Sequence, residues 1–119
     1  MTTPPDHVHA FAYPADDAVD IAAETFRMLG DPTRIRIVLR LLEAGELSVN
    51  ALADAVGRTP SAISQHLAKL RLARLVATRR DGTTVHYRID NVHLRQLVED
   101  ALFHTDHVER GLGDHPPTR

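Results

Sequence analysis

Two segments with helical apolar spacing, 48–56 and 60–74, are separated only by Gly57-Arg58-Thr59, and directly after the second the spacing changes to that of a strand. That order leaves few folds open. A three-residue turn containing glycine joins two helices at a steep angle, as in a helix-turn-helix. In the first segment Ser48 can cap the free N–H groups, Val49, Leu52, Ala53 and Val56 face inward, and Gly57 closes the helix. The second opens on Thr59-Pro60, a side-chain cap followed by a residue whose fixed φ suits a first helical turn, and Ile63, Leu67 and Leu70 form its inner stripe. Residues 75–80 then read as a strand, Asp81-Gly82 as a hairpin turn and 83–89 as the return strand. The expected fold is mainly α with a β-hairpin wing, a winged helix-turn-helix.

The flanks are helical too. Val19, Ala22, Ala23, Phe26 and Leu29 follow one helix face from Asp16, and Gly30 ends it. Asp31-Pro32 starts the next helix, with Ile35, Val38, Leu39 and Leu42 as its apolar stripe and Gly45 as its stop. From about Asn91 helical spacing resumes through Leu94, Leu97, Val98, Ala101 and Leu102. Residues 1–15, with three prolines, and 111–119, with Gly111, Gly113, Pro116 and Pro117, read as tails around a single domain at 16–110. No apolar run is long enough to span a membrane. The first residues lack the basic-then-apolar order of a secretory signal, so a cytoplasmic protein is expected.

The net charge of −2 conceals a segregation. Arg58, Lys69, Arg71, Arg74, Arg79 and Arg80 stand between 58 and 80 with none of the chain's 16 acidic residues among them. A basic block in an acidic chain points to one face that meets an anion. The second helix of the pair offers Ser61, Ser64, Gln65 and Lys69 on its outer face, with His66 close by. Serine and glutamine suit base edges, and Lys69 and Arg58 suit phosphates. His66 reads as a base or phosphate contact, and the wing carries Arg79 and Arg80 as cations for the DNA backbone or minor groove. Alone, each of these residues is ordinary surface; together they predict binding to double-stranded DNA. One short helix reads only a few base pairs, so two copies of the chain are expected on one site. A helix-borne His-Glu-x-x-His and a glycine-rich phosphate loop, which would speak for an enzyme, are both missing from the sequence.

The stretch 26–102 resembles the ArsR/SmtB family of metal-responsive repressors. The resemblance rests on Phe26-Arg27-Met28-Leu29-Gly30-Asp31-Pro32-Thr33-Arg34, on Ser61-Ala62-Ile63-Ser64-Gln65-His66-Leu67-Ala68-Lys69-Leu70, and on Arg80-Asp81-Gly82-Thr83 followed by Tyr87. It implies a homodimer joined through the first and last helices, repressing an operon for metal efflux or detoxification until metal binds. Within the family the chain is most similar to the actinobacterial nickel/cobalt sensors. The family pattern on the last helix is Asp-x-His, then a distant His, then His or Glu three residues later; His93, His104 and His107 match it.

The chain has no cysteine and eight histidines, so a bound metal must take nitrogen and oxygen ligands. On one helix His93 and His104 share a face, yet they lie about 16 Å apart along the axis. A metal–nitrogen bond is about 2 Å, so one helix cannot bring both to one ion. His104 and His107, three apart, are neighbours. Two copies of the helix running antiparallel would set His93 of one beside His104 and His107 of the other, giving two symmetric sites. The family acid two before His93 is Asn91 here, with Asp90 one residue earlier. An amide oxygen is a weaker ligand, which speaks against a simple tetrahedral zinc(II) site. Asp100 on the histidine face, Asp106 and His115 are further candidate donors, and His7 and His9 lie in the other tail. Extra oxygen or nitrogen donors would favour nickel(II) or cobalt(II) over zinc(II). A winged-helix regulator with no metal input remains the alternative.

Overall fold

A computed structural model describes residues 11–114. The elements run α1 (Asp16–Leu29), α2 (Pro32–Ala44), β1 (Leu47–Ser48), α3 (Val49–Val56), α4 (Pro60–Leu72), β2 (Ala77–Asp81), β3 (Thr84–Arg88) and α5 (Val92–Asp114). The strands form one antiparallel sheet in the order β1-β3-β2. This is the expected winged helix-turn-helix, with a third strand that the sequence reading lacks. Leu47 pairs with Tyr87 and Ser48 with His86, so β1 fastens the hairpin to the start of α3.

The caps form where the residue types demand them. The Asp31 carboxylate accepts from the backbone N–H groups of Thr33 (2.8 Å) and Arg34 (3.1 Å) at the start of α2. Ser48 caps α3 through Ala51 N–H and Thr59 caps α4 through Ala62 N–H. Gly57 adopts φ +78, and its N–H bonds Ala53 O, so the chain can leave α3 and re-enter α4 within three residues.

The Asp31 cap carries a pH signature. The Arg34 backbone N–H, helped by that of Thr33, holds the Asp31 carboxyl below its ordinary value near 3.8, against the opposing effect of burial. A depressed folded-state value contributes stability that is complete above the unfolded value and is lost as pH falls through the folded one. Asp31→Asn keeps the cap but not the charge. It is expected to cost about 0.5–1 kcal/mol at pH 7. Urea denaturation should show that gap narrowing below pH 3.8; an unchanged gap would refute the charged cap.

The core joins α2, α3, α4 and the first turns of α5. Ile37, Val38, Leu41, Leu52, Ile63, Leu67 and Leu70 are almost wholly inaccessible. On α2 the buried stripe is Arg34, Ile37, Val38 and Leu41, with Ile35, Leu39 and Leu42 only half-buried. The expected stripe is thus turned by one residue. Apolar residues cover more than half of this helix's circumference, and periodicity alone does not say which part is innermost.

Two further boundaries differ. Leu75 and Val76 are buried core residues before the strand, which starts at Ala77. The hairpin loop is Gly82-Thr83, since Asp81 pairs with Thr84. Gly82 takes φ +65 while Thr83 stays at negative φ, so glycine is needed only at the first loop position. The last helix continues through Gly111 and Gly113 to Asp114, past the point where those glycines suggest a tail. A glycine inside a helix costs about 1 kcal/mol and need not end it. The tail segment 1–10 and residues 115–119, with His7, His9 and His115, lie outside the described residues.

The terminal helices are only lightly attached. Of the α1 stripe only Leu29 is buried; Val19 is 44% and Phe26 60% exposed. On α5, Leu94 and Val98 reach the core and Leu97 packs beside them. Beyond them Leu102 and Val108 are each 45% exposed and Phe103 71%. Among the described residues, no helix is long and apolar enough to cross a membrane.

Candidate functional site

The outer face of α4 forms as expected. Ile63, Leu67 and Leu70 face the core, which turns Ser61, Ser64, Gln65 and Lys69 to solvent; all four are exposed. Arg58 is exposed in the turn before α4, with its Nη1 on the Gly57 carbonyl. Ser64, Ala68 and Arg71 of α4, Arg74 just after it and Tyr87 of β3 line one groove. Arg71 and Arg74 belong to the basic block, but their place beside the wing is set by the fold. Arg74 takes φ +62, the left-handed conformation that ends α4, and it is the one non-glycine residue with positive φ among the described residues.

His66 is placed differently from its neighbours. It is half-buried, and its Nδ1 lies 3.2 Å from Nη1 of Arg34. Arginine can only donate, so this contact makes Nδ1 the acceptor and assigns the ring proton to Nε2. Arg34 is itself only 9% exposed. Its Nε donates to the Met28 carbonyl at 2.5 Å, satisfying a last-turn carbonyl of α1. Arg34 therefore links the end of α1 to α4, and His66 belongs to that link and not to the row of exposed side chains. A signal for Arg34 was present: it stands three and four residues before Ile37 and Val38, on the core stripe. A charged residue at such a position must find partners inside.

Of the two wing arginines, Arg79 departs from expectation. Arg79 is bound to Glu46, which immediately precedes β1, with Nη2 2.8 Å from Oε1 and Nε 3.0 Å from Oε2. Its hydrogen bond holds the Glu46 carboxyl below the usual carboxylate range, and Glu46 raises Arg79 in return. Arg80 has no ion pair among the described residues and is exposed. Nothing in the sequence marks Glu46, because a two-residue strand has no period to detect.

On α5, His93, His104 and His107 are all exposed. No three His, Asp or Glu side chains of one chain could hold a metal ion together, among the described residues. Asn91 has a definite task. Its Oδ1 accepts from His93 N–H (2.8 Å) and Leu94 N–H (3.3 Å), which makes it the N-cap of α5. Asp90 reaches Arg88 at 3.5 Å, and Asp100 accepts from Gln96 Nε2 at 3.0 Å. His86 lies half-buried on the sheet opposite Arg79.

Residues 31–78 match the family model described as bacterial regulatory protein, arsR family. The chain is 53% identical over 100 residues to the HTH-type transcriptional regulator KmtR of Mycobacterium tuberculosis, covering 84% of this chain and 76% of that protein. Among solved structures, the AntR antimony-specific transcriptional repressor superposes with a TM-score of 0.75 at 28% identity, over 92% of this chain and 98% of that one. The homodimeric winged helix-turn-helix DNA-binding domain of a possible ArsR-family regulator from Mycobacterium bovis gives a TM-score of 0.71 at 28% identity, over 82% and 92%.

Proposed function

Because the chain belongs to the arsR family of bacterial regulatory proteins, we propose that it represses transcription as an apo homodimer on operator DNA and is released by a transition-metal ion. It is a transcriptional regulator and not an enzyme. In this reading α4 enters the major groove, with Ser61, Ser64 and Gln65 at base edges. Arg58, Lys69 and Arg80 meet phosphates or the groove edge, and Arg71 adds a cation beside the wing. His66 acts from behind, holding α4 against Arg34.

The observation that carries the metal reading is the spread of three exposed imidazoles along α5, a helix on which residues 99–109 are all exposed among the described residues. Exposed apolar side chains gathered on the two terminal helices mark an interface. Pairing α1 and α5 with those of a second copy would cover Val19, Phe26, Leu102 and Val108. It would also bring His93 of one chain to His104 and His107 of the other. Metal binding would then tie two chains together at sites that neither has alone, shifting the dimer between spacings that suit or do not suit DNA. The donor set is nitrogen-rich with oxygen in reserve. Asn91 is engaged in capping, so oxygen ligands would have to come from Asp100 or Asp106, and His115 is a further nitrogen donor outside the described residues. Such a set suits nickel(II) or cobalt(II), with zinc(II) the third candidate. The antimony-specific relative has the same fold and answers a different inorganic input, which supports a ligand-responsive reading without naming the metal.

The test is a titration. A duplex selected by the apo protein from a random library is bound in the presence of nickel(II), cobalt(II) and zinc(II) in turn. At least one metal should weaken binding by about 5- to 150-fold, the usual range of allosteric coupling. If none does, the chain is a winged-helix regulator without metal input.

A further inference from the structure

Neighbouring residues on a strand leave on opposite faces, so Arg79 and Arg80 cannot act as a matched pair. Arg80 stands opposite Val85, two residues from Tyr87 on the same face. Tyr87 lines a groove with Ser64 and Ala68 of α4, and Val85 and Tyr87 line another with Val49 and Asn50 of α3. Arg80 is therefore on the face turned toward the helix-turn-helix. Arg79 stands opposite His86, which stands opposite Ser48, on the other face. There its side chain lies back across the sheet, away from the hairpin tip, to reach Glu46. The two N–H···O bonds form the fork that arginine also presents to a phosphate.

We propose that Glu46 is a built-in phosphate mimic that keeps Arg79 off the DNA, so that the resting wing offers Arg80 and engages Arg79 only by exchanging one anion for another. The inference rests on the DNA-binding reading above. The carboxylate is well suited to the role: Arg79 first, then the charges of His86 and Arg88, favour its ionised form. The Arg79 and Glu46 side chains are 49% and 30% exposed, so the pair is weak enough to be displaced. Glu46 would thus moderate affinity while leaving the base-reading face of α4 untouched.

A double-variant cycle on the library-selected duplex tests this. Glu46→Gln keeps the shape and loses the charge. It should tighten binding about tenfold and steepen the dependence of affinity on salt by about one phosphate contact. Arg79→Ala in the natural background should weaken binding at most about threefold. In the Glu46→Gln background it should remove the whole gain and restore the original salt slope. The proposal is overturned if the gain survives in the double variant, since Glu46 would then act only through its general charge. It is equally overturned if Arg79→Ala costs as much with Glu46 present as without it. Failure of the natural protein to bind any duplex would instead refute the DNA-binding reading beneath the proposal.

Discussion

A variant carrying Leu102→Glu and Val108→Glu is expected to be monomeric and to bind its duplex on the order of a hundredfold more weakly, or worse. Both side chains are each 45% exposed on α5 beyond Val98, the last residue of that helix in the core. Neither belongs to the hydrophobic core of the described residues, so the monomer should keep its helical circular dichroism and its core. In a dimer they would lie where α1 and α5 of the two copies pack together, where each unpaired carboxylate costs several kcal/mol to bury. The effect on DNA follows from geometry. A single α4 reads one half-site, and joining two converts the second contact into an intramolecular one. Sedimentation and DNA titration of the same samples separate the steps. A variant that stays dimeric would move the interface elsewhere, and a monomer with undiminished affinity would remove the need for two copies. A variant that loses its fold would show that these residues serve the core, contrary to their exposure.

Much of the fold is legible because its signals are local. Asp31-Pro32, Ser48 and Thr59-Pro60 announce helix starts, and each makes the predicted side-chain cap. Gly57 announces the turn that sets α4, and its positive φ explains why glycine stands there. What is not local is not legible. The third strand is two residues long and exists only because Leu47 and Ser48 find Tyr87 and His86 about forty residues away. The rotation of the α2 stripe depends on which neighbours pack against it, and a helix apolar on most sides does not reveal that. The hairpin loop slips by one residue from Asp81-Gly82 to Gly82-Thr83 because pairing along both strands outweighs the preference of the dipeptide.

The candidate site divides in the same way. Ser61, Ser64, Gln65 and Lys69 are exposed as their spacing predicts, because the inner face of α4 is unambiguous. His66 and Arg79 are not free in the same way, since each is claimed by a partner more than thirty residues away: half-buried His66 by Arg34, exposed Arg79 by Glu46. No periodicity encodes such pairs. Asn91 is instructive in a different way. Read against the family pattern it looks like a lost metal ligand; in the structure it is a helix cap bonding two backbone N–H groups. Aspartate at that position could also cap. The substitution therefore preserves the start of α5 and removes only the carboxylate; under the proposed metal reading an oxygen ligand would have to come from another residue.

Replacing His104 and His107 together by alanine should leave apo DNA binding within about twofold and abolish the response to metal. Both side chains are exposed on α5, and among the described residues neither takes part in a hydrogen bond or ion pair. Alanine is moreover the best helix former, so the helix itself should not suffer. The loss of response would be complete because a site left with His93 alone has too few ligands to discriminate between two dimer conformations. His93→Ala should give the same phenotype from the other end. A mixed dimer provides the decisive form of the experiment, because the three residues are argued to meet only across two chains. Pairing one chain carrying His93→Ala with one carrying His104→Ala and His107→Ala leaves one of the two symmetric sites intact, whereas either variant alone has none. Metal titration of the mixture, followed by calorimetry and by release from DNA, should recover about half the capacity of one natural dimer for each mixed dimer formed. Metal response in either parent variant alone, or none in the mixed dimer, would mean that the ion is not held between the chains.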